Sequence, residues 1–106
     1  MKKVEMWEVL VPTQYNSGRP VRTRHHKMWD QQVYKLSGGL TIFKPTSGKW
    51  MHDGVLYEDR CIPVRIACTR TQLSKILKFT KFHYKQLAVM AYKISDEVII
   101  YDSEYL

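Results

Sequence analysis

The chain has 106 residues, a size typical of one small domain with one hydrophobic core. Its composition, 44% hydrophobic and 25% charged, is that of an ordinary globular protein, and no run of about 18 apolar residues predicts a membrane-spanning helix. The net charge of +7 favours anionic partners such as nucleic acid, a nucleotide or an acidic protein surface, although solubility alone also explains it. We therefore predict a single domain over residues 1–106 and no membrane partner.

The cysteines and the first residues indicate the compartment. Cys61 and Cys68 fall in one predicted strand at an odd spacing, so they point to opposite sheet faces and cannot pair with each other. The basic N-terminus leads into Glu5 and Glu8 rather than into an apolar run, which argues against a signal peptide. Unpaired thiols are typical of a reducing environment, so we expect a cytoplasmic protein.

The first part of the chain predicts a strand and then a helix. Hydrophobic residues alternate over residues 4–11, and Pro12 ends this strand. Apolar residues recur with helical spacing over residues 21–36, with Thr23 as the predicted N-cap. Gly38 follows, and it suits a left-handed C-terminal cap.

The middle of the chain predicts two strands. Residues 40–43 begin the second strand, and residues 49–51 resume it. Asp53-Gly54 is a strong signal for a two-residue hairpin turn. Residues 55–69 are rich in β-formers, but Pro63 cannot donate to a ladder and therefore predicts an edge position or a bulge.

The last part predicts a second helix, a closing strand and a short extra strand. The helix has its apolar stripe over residues 73–87 and begins near Thr69 or Thr71, while the strands cover residues 87–94 and 97–102. The resulting order β-α-β-β-α-β is that of the ferredoxin-like α+β fold, an antiparallel sheet with both helices on one face. Because this plan leaves the other face uncovered, we expect further copies of the chain to cover it and a ligand site to lie between subunits.

Several common catalytic motifs are absent from the sequence. His25 and His26 are adjacent, so a helix points them about 100° apart, and no HxxxH or CxxC spacing occurs. We expect His25 to be a hydrogen-bonded residue of the core, and we expect no metal site. The sequence also lacks a GxSxG elbow, a P-loop and a GxGxxG motif.

A basic stripe runs along the second predicted helix and consists of Lys75, Lys78, Lys81 and Lys85. Phe79 and Phe82 fall on or near this stripe, where core packing does not explain them. Lysines beside aromatic rings are typical of surfaces that bind single-stranded nucleic acid. The alternative is a solvated face whose two phenylalanines contact a neighbouring subunit, and nucleic acid is not the favoured partner.

A third cluster combines aromatic residues and carboxylates within residues 48–59. Trp50 and Tyr57 offer ring faces that stack on a base or attract a cation, and Glu58 and Asp59 attract positive charge. The alternative interpretation is a hairpin with ordinary exposed acids.

Five segments carry a resemblance to a known family, in chain order VLV (9–11), TRHHKM (23–28), GKW (48–50), VRIAC (64–68) and QLAVMAYK (86–93). They are similar to segments of the phage enzymes that degrade S-adenosylmethionine (SAM), which are SAM lyases formerly called SAM hydrolases. The resemblance implies a PII-like ferredoxin fold and a homotrimer with active sites in the clefts between subunits. It also implies a reaction without a cofactor, in which the carboxylate of SAM displaces methylthioadenosine and homoserine lactone forms.

The resemblance also implies roles for individual residues. Glu58 is the nearest match to the acidic residue that precedes the Val-Arg-x-x-Cys-like pattern (64–68) and would be catalytic together with Tyr57. Trp50 matches the aromatic residue after the glycine turn and would stack on adenine. The other substrate-binding candidates are Gln14, His26 and Asp59. Two alternatives remain open: a PII-like module without catalytic activity that binds a nucleotide or a protein, and a small basic nucleic-acid-binding domain.

Overall fold

The computed structural model describes residues 3–101, which form five strands and two helices. In chain order the elements are β1 (Glu5–Pro12), α1 (Thr23–Ser37), β2 (Thr41–Ile42), β3 (Thr46–His52), β4 (Val55–Cys68), α2 (Arg70–His83) and β5 (Ala91–Ser95). The strands form one antiparallel sheet in the order β2-β4-β1-β5, and β3 also pairs with β4. This arrangement confirms the predicted α+β, ferredoxin-like fold. None of the helices in this part of the chain is long and apolar enough to cross a membrane.

The hydrophobic core lies between the sheet and the two helices. Trp7, Val9 and Val11 alternate along β1 and point into this core. The β1 side chains between them point to the opposite face of the sheet, away from the helices. We call this opposite face the open face, and its β1 side chains are Met6, Glu8, Leu10 and Pro12.

Local capping signals determine two helix ends. Gly38 has a left-handed φ of 94° and its N–H donates to the Tyr34 carbonyl at 2.8 Å, which confirms the predicted C-cap of α1. Thr69 caps α2 through a capping box with Gln72. Thr23 is the first residue of α1 rather than its N-cap, because the cap position is occupied by Arg22.

The end of the chain differs from the prediction. α2 ends at His83, and Lys85 takes a left-handed φ of 54° that a right-handed helix cannot continue. Leu87, predicted for the core stripe, is therefore beyond the helix and is 86% exposed. The extra strand predicted over residues 97–102 is wrong for residues 97–101, because this apolar run has no adjacent strand in the described part of the chain with which to form a ladder. Residue 102 lies outside the described residues.

Pro63 lies in β4, which pairs on both sides, and not in an edge strand. Its carbonyl accepts a hydrogen bond from the Phe43 N–H at 2.9 Å. The N and C=O of one strand residue point to the same side, so the proline nitrogen also faces Phe43, the residue directly after β2. The N–H that proline lacks is therefore missing where the β2–β4 ladder ends, and proline is tolerated in a strand that pairs on both sides.

The β3–β4 hairpin extends past the helices. Asp53 and Gly54 form its turn with φ values of 49° and 75°, which confirms the predicted two-residue hairpin. All residues over 49–60 are exposed. We call residues 46–60 the arm. The molecule measures 54 × 32 × 25 Å, as expected for a domain with a protruding hairpin.

A buried hydrogen bond between the helices provides a test of the core. Trp29 Nε1 donates to Thr80 Oγ1 at 2.9 Å, and Thr80 Oγ1 in turn donates to the Ile76 carbonyl at 2.6 Å. Thr80→Val keeps the shape of the side chain but leaves the indole N–H without its acceptor. We expect the free energy of unfolding in urea to fall by about 1–3 kcal/mol. Thr71→Val, at an exposed position on the same helix, is the control. An equal loss of unfolding free energy in both variants would show that the hydrogen bond between Trp29 and Thr80 does not stabilise the core.

Candidate functional site

The register of the arm places three of the predicted site residues on one face. Trp50 pairs directly with Tyr57, and Gly48 pairs with Asp59. Side chains two residues apart on a strand share a face, so Trp50, Tyr57 and Asp59 all continue the open face. Cys61 follows on the same face and pairs with Pro12 of β1.

Trp50, Asp59 and Cys61 border a cleft of about 500 Å³ on the open face, between the arm and the segment that leads into β5. Its volume is in the range of small-ligand sites. The cleft is lined by Leu10, Pro12, Trp50, Asp59, Cys61, Gln86, Ala88, Val89, Met90 and Ala91. We call it the Trp50 cleft.

The indole of Trp50 lies against the strand backbone at Gly48. A Cβ atom at residue 48 would overlap Cζ3 of the indole, so only glycine leaves room for the ring in this position. Trp50 is nevertheless 38% exposed, so one part of its ring is available to a ligand. The glycine of the Gly-Lys-Trp segment therefore has a structural role, because it leaves room for the Trp50 ring at the edge of the cleft.

Asp59 supplies negative charge to the cleft. Its Oδ1 accepts a hydrogen bond from the Arg60 N–H at 2.7 Å. The neighbouring Cys61 thiol has a raised pKa, because it is buried and because the carboxylates of Asp59 and Glu8 disfavour a thiolate. The uncharged thiol is therefore the favoured form of Cys61, which forms part of the wall of the cleft.

A buried carboxylate stabilises the open face beside the cleft. Glu8 Oε1 accepts a hydrogen bond from Arg65 Nε at 3.1 Å, and its other oxygen accepts one from the Tyr92 hydroxyl. That hydrogen bond, with smaller contributions from burial, raises the pKa of Tyr92. The Phe43 ring covers the guanidinium at 4.8 Å. This network was not predicted from the sequence, although the alternation of β1 places Glu8 on the face opposite the core.

Three predicted site residues lie away from the Trp50 cleft. Glu58 points to the other side of the arm, where its Oε1 is 3.8 Å from Lys49 Nζ and both side chains are exposed. Gln14 lies in the loop after β1 and forms an isolated bridge with Pro20. His26 lies between the helices, where burial is the first cause of its lowered pKa.

The histidines at the start of α1 and at the end of α2 form reciprocal hydrogen bonds. His25 Nε2 donates to the His83 carbonyl and His83 Nε2 donates to the His25 carbonyl, each at 2.7 Å. His26 Nδ1 is 2.8 Å from the Tyr84 hydroxyl. The prediction that His25 is a hydrogen-bonded residue is confirmed. Within residues 3–101, no group of three or more His, Cys, Asp or Glu side chains is arranged to hold a metal ion.

The wall of the cleft opposite the arm was not predicted. Residues 86–90 were expected partly as a strand, but they precede β5 and form this wall instead. Gln86 Nε2 donates to the Tyr84 carbonyl at 3.1 Å, and the Met90 carbonyl accepts from the Leu10 N–H at 3.0 Å. The segment is thus attached at both ends, and Gln86, Ala88, Val89 and Met90 line the cleft.

Comparisons with known proteins show the fold. Rice CutA1 matches with a TM-score of 0.70 at 11% identity, covering 93% of this chain and 84% of the other. The periplasmic divalent cation tolerance protein CutA of Archaeoglobus fulgidus matches with 0.67 at 9% identity, covering 92% and 87%. A phage SAM lyase in complex with S-methyl-5′-thioadenosine matches with 0.62 at 11% identity, covering 90% and 92%. No protein-family model and no curated protein sequence matches the chain. The chain therefore shares its fold with CutA1 proteins and with a phage SAM lyase.

The contact between Trp50 and Gly48 can be tested by fluorescence quenching. In Gly48→Ala, the added methyl displaces the indole from the backbone, so acrylamide should quench tryptophan emission more strongly than in the wild type. Trp7 and Trp29 are buried, so the accessible emission reports mainly on Trp50. Gly39→Ala is the control, because a Cβ there meets no atom within 4 Å. Unchanged quenching in Gly48→Ala would show that the ring does not rest on this glycine.

Proposed function

We propose that the chain binds SAM at the Trp50 cleft and degrades it to methylthioadenosine and homoserine lactone. The observation that carries this proposal is that Trp50, Tyr57 and Asp59 share one face, with Trp50 and Asp59 lining a cleft of ligand size. The fold shared with a phage SAM lyase in complex with S-methyl-5′-thioadenosine gives further support.

The chemistry of the ligand fits this combination of side chains. SAM carries an adenine ring, a sulfonium cation and an aminobutyrate chain. Trp50 would stack on the adenine, and the Tyr57 ring would face the sulfonium. Asp59 is the carboxylate on this face of the arm, so we assign to it the attraction of the sulfonium or of the ammonium group. Glu58 faces the other side of the arm, from which it would act on a cleft that a neighbouring subunit completes.

The reaction itself requires little from the protein. One oxygen of the substrate's carboxylate forms a bond to Cγ while the Cγ–S bond breaks. The electron pair of that bond stays on sulfur, which becomes the neutral thioether of methylthioadenosine, and the closed ring is homoserine lactone. Atoms and charge balance without water or a cofactor. The cleft would therefore contribute by holding the chain curled for in-line attack, a proximity effect.

We further propose that the chain forms a homotrimer and that neighbouring subunits complete each cleft. Met51 and Leu56 face each other on the far side of the arm and are 66% and 53% exposed. The open face also exposes Phe43, Met90 and Tyr92. Apolar surface of this kind on both sides of a protruding hairpin is typical of a subunit interface.

Release of methylthioadenosine from SAM, measured by chromatography, tests the proposed reaction. Asp59→Asn removes the negative charge at nearly constant shape, and we expect kcat/KM to fall at least about tenfold, since hydrogen bonds and contacts to charged groups contribute about 1.5–3 kcal/mol. Glu58→Gln is the matched variant on the other side of the arm. A similar loss there would place Glu58 at a cleft that a second subunit completes.

Two results would contradict the proposal. Wild-type protein that releases no methylthioadenosine after prolonged incubation would exclude the reaction. Undiminished turnover in Asp59→Asn together with a full loss in Glu58→Gln would assign the chemistry to the other side of the arm.

The proposed assembly is tested by light scattering. We expect the wild type to have three times the mass of one chain, and Leu56→Lys to dissociate it, because a charge would then be buried at the interface. His52→Lys adds a cationic residue to the same hairpin at a position that is already polar and exposed, and it should leave the mass unchanged. A wild-type mass equal to one chain at micromolar concentration would refute the assembly.

A further inference from the structure

A second concave surface lies on the helix side, where the start of α1 meets the end of α2. Its cavity is about 780 Å³. Lys78, Lys81 and Lys85 line it together with Phe82. Among the described residues, no acidic side chain lines this cavity.

An adjoining pocket extends this surface toward the loop after β1. The pocket is about 410 Å³, shares His25 and Lys85 with the first cavity, and adds Arg19 and Tyr15. The Arg19 guanidinium lies 5.5 Å from the centre of the Tyr15 ring. We call the continuous surface formed by Arg19, Lys78, Lys81, Phe82 and Lys85 the basic groove.

Among the residues that the structure describes, no ion pair compensates the positive charge of the basic groove. Over residues 3–101, Arg19, Lys78, Lys81 and Lys85 take part in no ion pair. Lys81 and Lys85 lie near the C-terminal end of α2, where cations stabilise a helix dipole. That effect acts only within the last turn, so it does not explain Lys78 or Arg19. Their convergence indicates an anionic ligand.

Phe82 supplies an aromatic ring within this charged surface. Its side chain is 81% exposed, which is unusual for a phenylalanine with no structural role in the chain. Phe79, by contrast, packs against the core and against the His83 ring at 5.1 Å, so only one of the two phenylalanines singled out in the sequence is available to a ligand.

His25 and His83 form the floor of the basic groove, and they are fixed by stacking and by hydrogen bonds. The rings of His25 and His83 stack at 3.7 Å with only 7° between their planes, in addition to their reciprocal hydrogen bonds. Asn16 Nδ2 donates to the Lys85 carbonyl at 3.3 Å, across the boundary between the two pockets. These contacts connect the loop after β1, the start of α1 and the end of α2, so the groove has a fixed shape before a ligand binds.

We propose that the basic groove binds single-stranded nucleic acid, with the cations contacting successive phosphates and Phe82 stacking on an unpaired base. Several cations spread over two adjoining pockets fit a chain of phosphates better than one phosphate group. Phe82 can stack only on a base whose face is not already covered by a neighbouring base, and the interior of a duplex offers no such face. This inference does not depend on the proposed reaction, because the groove lies on the helix side and the Trp50 cleft on the open face.

Fluorescence anisotropy with a labelled oligothymidylate of about 12 nucleotides tests the inference, since single-strand sites span about 4–16 nucleotides. An oligouridylate of the same length is the second probe. We expect binding that weakens steeply with salt, as counterion release requires. Lys78→Glu/Lys81→Glu should lower affinity at least about tenfold and flatten the salt dependence. Phe82→Ala should lower affinity about tenfold, and Phe82→Tyr should restore it.

The control makes the same change of net charge elsewhere. Lys35→Glu/Lys44→Glu alters the exposed C-terminal end of α1 and the loop between β2 and β3, and it should leave affinity within about twofold. An equal loss of affinity in both double variants would show that binding depends only on the net charge of the protein, and it would overturn the proposal. Absence of binding to both probes at low salt, or tighter binding of a duplex than of the single strand, would also overturn it.

Discussion

The pairing register of β1 with β4 is the constraint on which the rest of the structure depends. Trp7 opposite Ile66 and Val9 opposite Val64 place these side chains under the helices. Because the side-chain period of a strand is two, the same register places Pro12 and Cys61 on the open face. A shift of one residue would expose the core and turn the Trp50 cleft toward the helices, so the burial that stabilises the fold also orients the site.

The arm extends this register beyond the core. The helices do not cover residues 49–60, and a two-stranded hairpin is only marginally stable by itself in water. Met51 and Leu56 on one side and Trp50 and Tyr57 on the other expose apolar area that assembly would bury. The proposed homotrimer would therefore stabilise the arm and complete a cleft with the same contacts.

Two surfaces of opposite chemistry lie on the two sides of the sheet. The Trp50 cleft combines the Trp50 ring with the Asp59 carboxylate and suits a cationic ligand, whereas the basic groove carries lysines and an exposed ring and suits a polyanion. Gln86 borders both, because the segment after α2 turns at Lys85 and crosses the edge of the sheet. The net charge of +7 is thus unevenly distributed, and it is no argument against a cationic substrate at the cleft.

Features that depend on near neighbours in the chain were predictable from the residues: the cap at Gly38, the turn at Asp53-Gly54 and the opposite directions of Cys61 and Cys68. The sequence also placed Tyr57, Glu58 and Asp59 together, because they are adjacent. Which of these three side chains lie on the cleft side of the arm followed only from the fold, since that depends on the register of β4 against β1 and β3. For the same reason the sequence did not show that Pro63 lies where the β2–β4 ladder ends or that residues 97–101 form no strand. Both depend on which backbone lies alongside, and a strand forms only where a partner supplies its hydrogen bonds.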